Sequence, residues 1–156
     1  MRSIAVLLVV TSGMMLHPPQ ATAGDPGCDA DYVGGTLAEL PGNAEGKILI
    51  TDQDSFLFRA KKAAVRIPYE KISTIEYGQR VGRRYVSAVL ISPVFLLAKS
   101  RKHFLTVAYT DGEGRGQAMV FRVGKNEIRA LLAGLEARTG RRIEFQDDEA
   151  RKAGRG

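Results

Sequence analysis

Between residues 32 and 123 the chain alternates apolar and polar positions in short runs, each closed by turn-forming residues. Alternation with a period of two puts one set of side chains on a buried face and the other in water, the pattern of half-buried strands. It predicts seven strands, over residues 32–40 (weakened by Gly34 and Gly35), 47–51, 55–60, 64–69, 72–79, 103–110 and 117–123. The inward sets are Ile48 and Ile50; Phe56 and Phe58; Val65 and Ile67; Ile75 and Tyr77; Leu105, Val107 and Tyr109; and Met119, Phe121 and Val123. Pro41-Gly42-Asn43, Asp52-Gln53-Asp54, Lys61-Lys62 and the glycine-rich stretch 111–116 supply the connections. These faces predict one core cluster holding Ile50, Phe58, Ile67, Ile75, Val107, Phe121 and Leu135.

After residue 123 the period changes. Gly124 breaks the last strand and Asn126 is a candidate helix cap. Ile128, Leu131, Leu132 and Leu135 then follow the i, i+3, i+4, i+7 stripe of an amphipathic helix, with Gly140 placed as its left-handed stop. Residues 141–145 read as a short extended piece and 147–156 as a charged, frayed tail. One stretch fits neither period. Residues 85–98 carry no charge, yet Arg80, Arg83 and Arg84 stand before them and Lys99, Arg101 and Lys102 after. The segment 80–102 is therefore an apolar, base-flanked insertion in a small β-domain.

Strands followed by one amphipathic helix are the order of a pleckstrin-homology-like (PH-like) domain. Residues 46–52, then Phe56-Leu57-Phe58, then the Ile-Pro segment running from Ile67 and Pro68 through Ile72 and Ile75 to Tyr77, resemble the bacterial PH-like and GRAM-like pattern. Residues 103–109 and the helix ending at Gly140 look similar to the closing half of such domains. The resemblance covers roughly residues 35–145. It implies a mainly β fold, a seven-stranded antiparallel barrel or sandwich closed by one C-terminal helix, over residues 32–146. The apolar, base-flanked insertion, for its part, suggests a surface that meets a membrane or a partner in place of a catalytic site. The basic lipid-binding signature of the family, between the first two strands, is not evident: only Lys47 lies near that turn.

The first residues bear on location. Met1-Arg2-Ser3 is a short positive start, residues 4–16 are mostly apolar, and Ala21-Thr22-Ala23 offers the small residues that signal peptidase needs. Residues 1–23 read as a cleavable signal peptide and 24–31 as a flexible tail, so the expected destination is periplasmic or extracellular. The 156-residue chain carries a net charge of +6, which suits anionic surfaces. Export argues against nucleic acid as a partner. Cys28 is the single cysteine, so no internal disulfide forms, and the expectation is a free thiol in the tail.

Candidate chemistry is sparse. One His and one Cys beyond the signal segment are too few nitrogen and sulfur ligands for zinc. Asp52-x-Asp54 fails the calcium-loop register, with Phe56, Leu57 and Ala63 where ligands and a glycine belong, and so does a loop begun at Asp111. Residues 42–47 are one residue short of a P-loop, and Ile48 stands where its Ser or Thr belongs. Gly112, Gly114 and Gly116 lack a surrounding βαβ unit. No cofactor or metal is expected. His103, beside Arg101 and Lys102, is the one candidate base, and no motif presents a Ser near it. Nor does spacing pair any two of Glu70, Glu76, Glu127 and Glu136; the last two read as the solvated face of the helix.

The fourteen-residue apolar run is too short to span a bilayer as a helix, and Pro93 interrupts it. Three readings stay open: it caps the open end of the barrel, it dips into a membrane interface, or it forms a protein interface, self-association included. The residues expected to make a membrane or partner contact are Arg83, Arg84, Leu90, Phe95, Lys99, Arg101 and Lys102. The functional expectation is an exported, non-catalytic binding or scaffolding module, acting at an anionic envelope membrane or with an envelope protein. The alternative is an enzyme with an unrecognised site near His103.

Overall fold

The computed structural model describes residues 27–37, 39–80, 90–91 and 102–155, with the backbone alone at 90 and 91. Among these residues the elements run β1 (Cys28–Gly35), β2 (Ala44–Leu49), β3 (Ser55–Ala60), β4 (Ala64–Pro68), a 3-10 turn (Tyr69–Lys71) and β5 (Ile72–Gly78). There follow β6 (Leu90–Ile91), β7 (His103–Thr110), β8 (Gly116–Val123), α1 (Ile128–Thr139), β9 (Ile143–Phe145) and α2 (Asp148–Arg155). The protein is mainly β, with helix at its C-terminal end.

The strands form one sheet in the order β4-β3-β2-β1-β8-β7-β5-β9, and β6 pairs with β1 off this path. All pairings are antiparallel except β5 with β9. The sheet is not closed, since β4 and β9 end it without meeting. Its concave face holds the main core. Phe121 is central there, with ring centroids 4.9 Å from Phe58 and 5.9 Å from both Phe56 and Tyr32. The apolar stripe of α1, Ile128, Leu131, Leu132 and Leu135, joins this cluster. A Cβ on Gly134 would come within 2.3 Å of Ile50 Cδ1, so glycine lets α1 lie close to the chain leaving β2. Gly140 ends α1 at φ 65°, its N–H donating to the Glu136 carbonyl at 3.0 Å, as the sequence implies.

Several expectations need correcting. There are nine strands among the described residues where the alternation predicts seven, and β9 makes the sheet mixed instead of purely antiparallel. β1 starts at Cys28, inside the stretch read as a tail, and stops at Gly35. Ala30 and Tyr32 fill its inner face, while Asp29 and Asp31 alternate with them and pair with Lys47 and Arg122. Residues 148–155 are helical, not frayed. Asp147 Oδ1 accepts from the Ala150 N–H at 2.7 Å, and Ala150 and Gly154 are buried. A second helix therefore follows the one expected. Asn126 does not cap α1; Glu127 holds that position without a side-chain bond. Of the expected core, six residues are buried in one cluster, and Ile50 is only partly buried against it.

Candidate ligand cleft

One strand row organises the site. His103 of β7 lies opposite Val123 of β8, Val123 opposite Ala30 of β1, and Ala30 opposite Gly46 of β2. Three inter-strand spacings make this row about 14 Å across. Its middle is small: Ala30, Gly46 and Val123 leave room that larger residues would fill. Gly46 is also required by close approach, because a Cβ there would sit 2.4 Å from the Arg59 carbonyl oxygen and 2.9 Å from the Phe58 ring. The result is an open cleft of about 670 Å³ lined by charged and polar groups, within the size range of small-molecule sites.

Charge is sorted across it. Asp29 and Asp31 of β1 and Glu45 of β2 make one wall; Lys102, His103, Arg122 and Lys125 make the other, with Glu127 beyond them. Arg122 Nε donates to Asp31 Oδ2 at 2.7 Å and its terminal nitrogen donates to the same oxygen, which ties the two walls together. Asp29 meets Lys47 at 3.1 Å at the exposed rim. Cys28, a free half-buried thiol, sits beside Glu127; burial and then that carboxylate push it up to about 12, so it stays protonated and a poor nucleophile.

His103 has its ring parallel to Tyr77, with centroids 5.9 Å apart, and Nδ1 hydrogen-bonded to the Tyr77 hydroxyl. Tyr77 is buried, and no other partner for its hydroxyl occurs among the described residues. Donation from the hydroxyl to Nδ1 satisfies both groups and leaves the proton on Nε2. Burial, then the charge of Lys125, hold the imidazole below its ordinary pKa. The cleft thus meets a neutral histidine whose remaining nitrogen donates. A triad would instead need a base beside a hydroxyl or thiol; the described lining residues include carboxylates but no Ser, Thr or Cys.

Of the residues expected to meet a membrane or partner, Lys102 lines this cleft. Leu90 is seen through its backbone, paired with Gly35 of β1. Arg83, Arg84, Phe95, Lys99 and Arg101 lie outside the described residues. The acids Asp29, Asp31 and Glu45 and the base Arg122 were not foreseen, because their proximity is cross-strand. The one signal was parity: Asp29 and Asp31 alternate with Ala30 and Tyr32 as a strand requires. The remaining motif-like stretches resolve into turns. Asp52 accepts from the Asp54 N–H and from Arg66, and Asp111 accepts from the N–H groups of Glu113 and Arg115. Glu76 is bonded by Gln146 and Glu136 by Arg155, so neither joins a carboxylate pair. Among the described residues no group of three or more His, Cys, Asp or Glu is disposed to hold a metal ion, and no helix is long and apolar enough to cross a membrane.

Comparison with protein-family models finds no match, and no curated protein matches the chain.

Proposed function

We propose an exported, non-catalytic binding or scaffolding module on a PH-like framework, working in the cell envelope against its membrane or a protein there. The fold half of this reading is supported by the strand path. β1 to β4 form a meander, β5, β7 and β8 form a second, β1 joins the two through β8, and α1 packs into the core beside the turn between β4 and β5. The observation that carries the functional half is the position of Lys102. It is the last residue of the base-flanked insertion and also a wall of the cleft. Lys102 therefore brings the end of the basic cluster in sequence to the wall of the cleft. His103, fixed as a donor by Tyr77, fits recognition better than proton abstraction.

The test is fractionation followed by vesicle co-sedimentation. The exported protein should start at Gly24, sediment with membranes, and be released by high salt, because exposed charges are screened. Replacing Arg83, Arg84, Lys99, Arg101 and Lys102 by Gln should weaken binding to anionic vesicles and flatten its salt dependence. Each basic residue near such a surface contributes about 1 kcal/mol. A wild-type protein that ignores anionic vesicles and stays in the soluble fraction loses the membrane side of this reading. Retention of residues 1–23 in the mature protein removes its export side.

A further inference from the structure

The cleft sorts its charge by strand. Its acids Asp29, Asp31 and Glu45 belong to β1 and β2, while Arg122, Lys125 and Lys102 stand on or just beyond the ends of β8 and β7. The order β2-β1-β8-β7 keeps the two sets on separate halves of the cleft. Their middles are two inter-strand spacings apart, about 10 Å. Glu127 is the exception on the basic side. It folds back over Gly124, where a Cβ would sit 3.0 Å from Oε2, and it lies beside Cys28.

The centre of the cleft is neutralised and its two sides are not. Asp31 and Arg122 face each other on paired strands and are hydrogen-bonded. Asp29 is bridged to Lys47. Glu45 and Lys125, in contrast, are exposed and take part in no ion pair among the described residues. A carboxylate on the acidic side and an ammonium on the basic side are thus available to a ligand, with a closed pair between them. His103 adds its Nε2–H as a donor on the basic side. A ligand of one sign is attracted by one wall and repelled by the other. A ligand with a cation at one end, an anion at the other and a neutral middle matches all of the cleft.

Length narrows the chemistry further. The two charges must lie about 5–10 Å apart, one to two strand spacings. An extended chain gains about 3.3–3.6 Å per residue, so a single amino acid is too short and about two or three residues fit. We propose that the cleft binds a short peptide with both termini free, its ammonium toward Glu45 and Asp29 and its carboxylate toward Lys125, Lys102 and the His103 N–H. The neutral peptide units then lie over the Asp31–Arg122 pair, in a cleft of about 670 Å³ that holds them. This deepens the reading of the cleft as a recognition site and rests on it; it does not require contact with a membrane.

The probe is triglycine, with N-acetyl-triglycine and triglycine amide as its single-charge analogues. Titrated into the isotope-labelled exported protein at low salt, triglycine should move the amide signals of Ala30, Gly46 and Val123 saturably. Each analogue should bind at least about fivefold more weakly, because one charge-assisted contact is lost. Two variants fix the direction. Glu45→Gln should weaken triglycine about two- to fivefold, the worth of one exposed ion pair, and leave N-acetyl-triglycine unchanged. Lys125→Gln should weaken triglycine by a similar factor and leave triglycine amide unchanged. Both residues are exposed, so both variants keep the fold. Absence of saturable binding, equal affinity for the three peptides, or variants that weaken all three alike overturns the proposal. Vesicle co-sedimentation is scored separately. A protein that sediments with anionic vesicles and ignores triglycine loses this inference and keeps the proposed function. One that binds triglycine and ignores the vesicles keeps the inference and loses only the membrane side.

Discussion

His103 is the only histidine outside the predicted signal segment, which makes its titration readable in the whole protein. Its folded pKa is lowered by burial and by Lys125, whereas unfolded it titrates near ~6.5. Between those two values the unfolded chain binds more protons, so stability rises with pH. The contribution is complete above about 6.5 and is lost as pH falls through the folded value. Urea unfolding at pH 5 and pH 8 should show the wild type more stable at pH 8, and His103→Gln should remove most of that difference. A variant that keeps the full pH dependence would place its source elsewhere. Tyr32 gives a second residue-scale case. Its hydroxyl is buried without a hydrogen-bond partner among the described residues, and burial pushes it up to about 12. An unsatisfied buried polar group costs about 1–3 kcal/mol, so Tyr32→Phe should raise the unfolding free energy by about 1 kcal/mol, read from the urea midpoint at unchanged slope.

Elements dominated by large apolar residues were legible from local pattern: β3 and β7 begin and end where the alternation places them. The elements that were missed depend on distant partners. β1 contains two aspartates and ends in two glycines, and it becomes a strand because β2 and β8 flank it and pair its acids. β9 is three residues long and is held by parallel pairing to β5, far away in sequence. The cleft shows the same division. Lys102 and His103 stood out locally, while Asp31 and Arg122 meet only through register. α2 is the clearest case, a highly charged stretch with no apolar stripe. It is placed by small residues that allow close approach: a Cβ on Gly154 would lie 2.7 Å from Phe145 Cε1 and 3.2 Å from Leu132 and Tyr77 carbons. Arg155 adds its guanidinium over the Phe145 ring, 5.2 Å from the centroid, and Arg129 Nε donates to the Ala153 carbonyl. Ending the chain after Gln146 should therefore uncover Tyr77, Leu132 and Phe145. The expected loss is about 1–3 kcal/mol, the scale of one buried apolar side chain, seen as a lower melting temperature with the β-sheet dichroism retained. A truncated chain as stable as the full one would return the segment to the frayed tail that its composition suggests.

At the scale of the whole molecule, one aromatic side chain links the two meanders of the sheet. Phe121 of β8 touches Tyr32 of β1 and the Phe56–Phe58 pair of β3 across the concave face. It is fully buried, and β8 is the strand through which the two meanders join. Truncating it opens a cavity that β1, β3 and β8 would have to collapse into together, and the sheet pairings of β8 on both sides resist that movement. Phe121→Ala should cost about 3–5 kcal/mol, as deletion of core aromatics does, a large share of the about 5–15 kcal/mol that holds a domain together. Glu45→Gln on the exposed cleft wall is the control, expected within about 0.5 kcal/mol of wild type. Denaturant unfolding followed by dichroism separates the two cases: an unchanged slope with a much earlier midpoint for Phe121→Ala means that one cooperative unit has lost its centre. A small shift for that variant, comparable to the control, would mean that the two meanders are stabilised separately and that the core does not join them.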